Sequence, residues 1–264
     1  MTVRLRTRDV TLAYDGRVVV EALSVDIPDG GFTVIVGPNA SGKSTLLKAL
    51  ARTIAPASGE VVLDDAAIGS YRTKEVARRL ALLPQNPIAP DGVRVRDLVA
   101  RGRYPHQSLL RQWSATDEAV VAEVLEATET TALADRVVTE LSGGQRQRVW
   151  MAMVLAQATD LLLLDEPTTF LDIAHQYDVL DLCAALHARG KTLVVVLHDL
   201  NQAARYATHL VVLNHGRIVA EGPPGDVLTA DLVGREFGLE CRVIDDPETG
   251  TPLVVPLARS ARGQ

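Results

Sequence analysis

A chain of 264 residues, 47% apolar and 23% charged, can bury a sizeable core, which excludes a disordered polymer. Its formal net charge of −6 lacks the basic balance of a general nucleic-acid binder, so no nucleic-acid partner is expected. Cys183 and Cys241 have no metal-ligand spacing and are expected to be reduced thiols.

From the N-terminus, residues 10–14 alternate about Leu12, Asp15 and Gly16 supply a turn, and residues 23–27 alternate again. Pro28, Asp29, Gly30 and Gly31 end that pattern, and a small antiparallel sheet is predicted. Residues 32–36 form a short, β-branched apolar run, the pattern of a buried parallel strand. A helix is predicted over 45–52, apolar at Leu46, Leu47, Ala49 and Leu50, and a strand over 80–83, closed by Pro84. From about 86 to 157 the pattern turns helical, with Val120, Val121, Val124 and Leu125 on one face behind a cap predicted at Thr116. Buried strands return at 161–164 and 193–197, separated by a helix over 173–188. Residues 210–213 and 218–220 flank Asn214, His215 and Gly216, a hairpin signal. Residues 258–264 are expected to be a mobile tail. The Arg-rich start shows no signal-peptide pattern, and the apolar runs are far too short to cross a bilayer, so a chain soluble when isolated is expected.

Gly37, Pro38, Asn39, Ala40, Ser41, Gly42, Lys43 and Ser44 fit G-x-x-x-x-G-K-[ST] at every fixed position, with a strand before and a helix after. Such a loop turns its N–H groups toward phosphates, and the next helix adds its partly positive end. Lys43 is expected to reach the β- and γ-phosphates, Ser44 to place its hydroxyl on Mg²⁺, and Thr45 to bond the α-phosphate. This motif specifies a nucleoside triphosphate. The strand at 161–164 runs into Asp165 and Glu166, at the edge where open α/β sheets hold ligands. Asp165 is expected to hold Mg²⁺, and Glu166 to orient and deprotonate the attacking water. Leu141, Ser142, Gly143, Gly144 and Gln145 then open a helix, offering a second anion site by the same physics. Two chains placed head to tail would set each Ser142 against the ATP of the other.

Together, residues 37–44, 141–145 and 164–167 resemble the nucleotide-binding subunit of an ATP-binding cassette transporter. The resemblance implies an α/β fold: a RecA-like P-loop NTPase core with an N-terminal antiparallel β-subdomain and an inserted α-helical subdomain. The core would span about 1–86 and 158–257, the helical subdomain about 87–157. It also implies that Tyr14 stacks on adenine, that Gln85 touches Mg²⁺ and the attacking water, and that His198 senses the γ-phosphate. Asp172, in the run Thr169, Phe170, Leu171, Asp172, would report across the dimer, with Thr169 standing where many members have serine. The other histidines, His106, His175, His187, His209 and His215, are read as structural or solvent-facing.

Residues 101–105, 167–176, 197–206, 244–247 and 250–256 further resemble the ATPases of ferric-siderophore importers, those of ferric-enterobactin type above all. Cobalamin and haem importers use similar subunits. The implied assembly is a homodimer bound to two membrane permease subunits, served indirectly by a substrate-binding protein, at the cytoplasmic face of the inner membrane. ATP and Mg²⁺ would be its cofactors. Two competing readings are a soluble cassette ATPase of repair or cluster assembly and a phosphate-loop kinase. No sustained heptads support the repair reading, and a kinase leaves Ser142, Gly143 and Gly144 unexplained.

Overall fold

The computed structural model describes residues 3–14, 16–108 and 113–258; the tail expected at 258–264 lies, but for Ala258, outside them. In chain order the elements begin with strands β1 (Val3–Tyr14), β2 (Arg17–Pro28) and β3 (Phe32–Val36), then helix α1 (Lys43–Leu50). Next come β4 (Ser58–Leu63), β5 (Ala66–Ala67), α2 (Thr73–Ala77), β6 (Leu80–Leu83), α3 (Val95–Ala100), α4 (Ala115–Ala127) and α5 (Gly143–Ala156). The chain continues through β7 (Leu161–Asp165), α6 (Ile173–Ala188), β8 (Thr192–Val196) and α7 (Leu200–Tyr206). It ends with β9 (His209–Asn214), β10 (Arg217–Gly222), α8 (Pro224–Val227), α9 (Ala230–Phe237), β11 (Cys241–Asp245) and β12 (Pro252–Pro256). Two compact units result, Met1–Val62 with Val196–Gln264, and Leu63–Val195.

In the first unit β1 and β2 pair antiparallel from Val3↔Pro28 to Tyr14↔Arg17. Leu5, Val10 and Leu12 turn inward, and a register shift falls between Thr7 and Val10. The buried Thr7 hydroxyl donates to Leu23 O (3.0 Å) and accepts from Val25 N (3.0 Å), keeping the ladder's polar groups bonded beside the irregularity. Every residue of β3 is buried, and it runs parallel to β9 from Thr33↔His209 to Val36↔Val212, as its unbroken apolar run requires. The predicted hairpin is β9–β10, turning at Gly216 with φ +73°. The β11–β12 hairpin is clasped by the first turn of α7: Asn201 Nδ2 donates to Val254 O (3.2 Å) and its Oδ1 accepts from Val254 N (2.7 Å).

In the second unit β6 and β7 run parallel, Leu80↔Leu161 through Leu83↔Leu164, and β8 neighbours β7. The helical stretch predicted from the sequence is present as α3, α4 and α5. The cap of α4 is Ser114, not Thr116: Ser114 Oγ accepts from Asp117 N (3.3 Å), and Asp117 Oδ2 accepts from Ser114 N (3.0 Å) and Oγ (2.6 Å). A capping box needs its acid three residues after the cap, a spacing that Ser114 meets and Thr116 does not. Arg103 Nε reaches the other oxygen of Asp117 at 2.8 Å, and its Nη1 donates to Ala156 O at 2.8 Å. This buried ion pair therefore ties the start of α4 to the end of α5. Among the described residues no helix is long and apolar enough to cross a membrane.

Candidate nucleotide site

The phosphate loop lies between β3 and α1, and its shape is set by neighbours in its own unit. Gly37 has φ +157°, and a Cβ there would stand 1.9 Å from Leu213 O and 2.8 Å from Ser41 Oγ. Only glycine leaves room for the chain at that point. Gly42, with φ +103°, caps α1 without a side-chain bond, and no acidic residue lies in the first turn. The helix's first N–H groups and its positive end could therefore take an anion with no first-turn carboxylate competing. Lys43 is buried, its Nζ donating to Gly37 O and Pro38 O at 2.9 Å each, so its charge sits on the rim of the loop. Ser41 Oγ is buried with no hydrogen-bond partner. A cationic lysine, an uncapped helix start and an unsatisfied hydroxyl together fit a polyphosphate.

Two other expected contributors belong to the same unit. Tyr14, at the end of β1, is 42% exposed, and so is a surface ring rather than a core tyrosine. His198 is exposed just past β8, and the next residue, Asp199, caps α7 by accepting from Asn201 N (2.8 Å) and Gln202 N (2.9 Å).

The acids belong to the second unit. All of β7 is buried, and Asp165 and Glu166 follow its last leucine. Because Leu83 pairs with Leu164, the residue two past β6 arrives level with the residue two past Leu164. That is how Gln85 meets Glu166: its Nε2 donates to Glu166 Oε2 at 2.5 Å. Thr169 Oγ1 donates to the same oxygen at 3.1 Å, and Thr169 N to Glu166 O at 3.2 Å. Two donors on one oxygen fix the direction of the other. Glu166 also has φ +52°, a left-handed backbone uncommon for a residue with a side chain. In the second unit Gln85 and Asp165 offer amide and carboxylate oxygens, and in the first Ser44 offers a hydroxyl, each a hard donor of the kind that Mg²⁺ prefers. Among the described residues no group of three His, Cys, Asp or Glu forms a cage, and a Mg²⁺ ion that takes phosphate and water as ligands needs none.

Ser142 is the N-cap of α5 in a capping box: its Oγ accepts from Gln145 N (3.3 Å), and Gln145 Oε1 accepts from Ser142 N (3.2 Å). Gly143 and Gly144 form the first turn, again without an acid. Residues 170–175 flank them. Phe170 O lies 3.6 Å from where a Cβ of Gly143 would be, and the His175 ring lies against Gly144. Asp172 caps α6, accepting from His175 N at 3.0 Å. Neither the Thr169–Glu166 bond nor the place of His175 was read from the sequence. The first is a local i, i+3 contact that the strand-end turn makes possible; the second joins residues far apart in the chain.

Residues 20–169 match the family described as ABC transporter. The chain belongs to the ABC transporter family. Over 259 residues this ABC transporter chain is 56% identical to the ferric enterobactin transport ATP-binding protein of Escherichia coli (strain K12), covering 98% of this chain and 96% of that one. A solved ABC transporter described as of metal-chelate type, in an inward-facing conformation, superposes with a TM-score of 0.83 at 29% identity, covering 98% and 99% of the two chains. A dimeric ATP-binding cassette in a post-hydrolysis state with ADP and Pi superposes with a TM-score of 0.74 at 26% identity, covering 83% and 98%. The α/β P-loop fold is thus that of the ABC cassettes, and this chain is the ATP-binding, ATP-hydrolysing subunit of such a transporter.

Proposed function

We propose that this ABC ATPase energises import of a ferric siderophore, working as a homodimer under two permease subunits that receive cargo from a separate binding protein. The single observation that supports this cargo is the 56% identity to the ferric enterobactin protein, which spans the C-terminal hairpin as well as the nucleotide motifs. In this reading the subunit works at the cytoplasmic face of the membrane, and the helical stretch over 87–157 is the inserted subdomain that faces the permease.

The chemistry assigned to each residue follows from its type and surroundings. Lys43 neutralises the β- and γ-phosphates, the N–H groups of residues 37–44 bond them, and Thr45 bonds the α-phosphate. Tyr14 stacks on the base. Mg²⁺ when bound draws negative charge from the phosphates, and Ser44, Gln85 and Asp165 would hold it. Glu166, steadied by Gln85 and Thr169, takes the proton of the attacking water. His198 bonds the γ-phosphate, so the site distinguishes ATP from ADP. Ser142 of the partner subunit, with Gly143 and Gly144 of the partner subunit, closes over the nucleotide. Asp172 carries the state of one site to the other.

The experiment is uptake of ⁵⁵Fe-labelled ferric siderophore by cells lacking the subunit and restored with the parent or the Glu166→Gln chain. Uptake should depend on the parent and fail with the variant. Full ferric-siderophore uptake without the subunit, with loss of haem or cobalamin uptake instead, would reassign the cargo.

A further inference from the structure

His175 stands outside every role assigned so far, yet the start of α5 is built around it. A Cβ at Gly144 would lie 3.1 Å from His175 Cδ2 and 3.2 Å from Cγ, so the imidazole is packed on the bare Cα of that glycine. The ring is not free to swing. His175 Nδ1 lies 2.6 Å from Asp172 Oδ1, the same oxygen that accepts the His175 backbone N–H at 3.0 Å. Those bonds, the backbone one first, hold the Asp172 carboxyl below its ordinary value. One oxygen thus fixes both the first turn of α6 and the plane of the ring. The Phe170 carbonyl lies beside the other glycine, 3.6 Å from a Cβ at Gly143. The Gly143–Gly144 turn is therefore seated in a frame made by residues 170–175.

From this geometry we infer that His175 is a positioning residue for the Ser142 loop. Its ring, oriented by Asp172, sets the seat of Gly144 and so the aim of the Ser142 hydroxyl and the first N–H groups of α5. The ligand affected is the triphosphate held by the partner subunit. The inference rests on reading residues 141–145 as the contact made across the dimer. Removing the ring leaves a gap beside Gly144, in a glycine pair whose backbone has the most freedom to lose when the nucleotide is clasped. The effect belongs to closure of the dimer and not to capture of ATP by a single chain.

The test uses the full chain in the Glu166→Gln background, where ATP-bound dimers accumulate, with dimer formation followed by light scattering as ATP is titrated. His175→Ala should raise the half-maximal ATP concentration about tenfold, whereas His175→Asn, whose amide can replace Nδ1 toward Asp172, should stay within about threefold of the parent. Binding of a fluorescent ATP analogue to the dilute monomer should be unchanged in both. Ser142→Arg serves as the control for the underlying reading. If it abolishes dimers while His175→Ala dimerises like the parent, the role of His175 is overturned and the Ser142 reading stands. If Ser142→Arg also dimerises like the parent, the Ser142 reading itself falls. Should His175→Ala melt early, His175→Gln takes its place, with the same tenfold expected and parent-like dimerisation again overturning the inference.

Discussion

The side-chain amide of Gln85 lies 2.5 Å from Oε2 of Glu166, because each residue stands two places beyond a pair of leucines matched across parallel strands. A shift of one residue in that pairing would turn Gln85 to the opposite face. The strand register therefore sets the position of the carboxylate proposed as the base. Glu166→Gln keeps the shape and removes the proposed base. Turnover should fall by at least ~100-fold while ATP binding persists and dimers accumulate. Steady-state phosphate release with size-exclusion chromatography in ATP checks both parts, and near-parent turnover would take the base role from Glu166.

Thr169 contributes the second donor to the same oxygen. Thr169→Val should lower kcat about tenfold and leave KM for ATP unchanged, because the bond orients the base without touching the nucleotide. Thr169→Ser keeps the hydroxyl and should restore most of the rate. In the Glu166→Gln background Thr169→Val should add nothing further. A KM effect, or full additivity with Glu166→Gln, would give Thr169 a different task.

Gly37→Ala asks for a Cβ 1.9 Å from a backbone oxygen at φ +157°. The Leu213 carbonyl is backbone and cannot swing aside, so the loop must leave its path. ATP affinity should drop by more than about tenfold, read by titration with a fluorescent analogue. The all-buried β3 should keep the far-ultraviolet circular dichroism of the parent.

The Arg103–Asp117 pair predicts both a stability loss and a pH dependence. Asp117→Ala leaves the Arg103 guanidinium buried with one fewer partner, at a cost of about 3 kcal/mol in chemical denaturation. The Ser114 hydroxyl first, and Arg103 after it, hold the Asp117 carboxyl below its ordinary value against the opposing effect of burial. A carboxyl lowered by folding stabilises the fold in full above the unfolded value of about 4 and loses that contribution as pH falls through the folded value. Melts between pH 7 and pH 3 should show the parent losing stability at the acid end, and Asp117→Ala losing less over the same interval.

Cys183 is fully buried, and burial pushes its thiol up to about 12. It should not react with Ellman's reagent in the native protein and should titrate completely in guanidinium. Rapid labelling of Cys183 in folded protein would show that α6 opens more readily than its packing implies.

Much of the fold could be read in advance because its signals are local. The runs at 32–36 and 80–83 and the helix over 173–188 have the predicted limits. The helix of the phosphate loop begins at Lys43 rather than Thr45, since glycine at the cap lets the coil start at once. β4 gave little signal: its first three residues, Ser58, Gly59 and Glu60, are exposed, and Gly59 carries φ +75°. Motifs singled out Lys43, Asp165, Glu166 and Ser142 as candidates, because each stands at a strand end or a helix start. His175 stayed hidden. Its partner Gly144 is 31 positions earlier, and nothing in a lone surface histidine records a glycine brought against it by folding.

Glu166 holds a left-handed backbone, a state that costs a non-glycine residue about 1–2 kcal/mol. Glycine would relax that bend and, under the proposed role, remove the base in the same step. Selection for thermal endurance alone would therefore tend to erase this carboxylate, and under the proposed role a demand for transport keeps it in the gene.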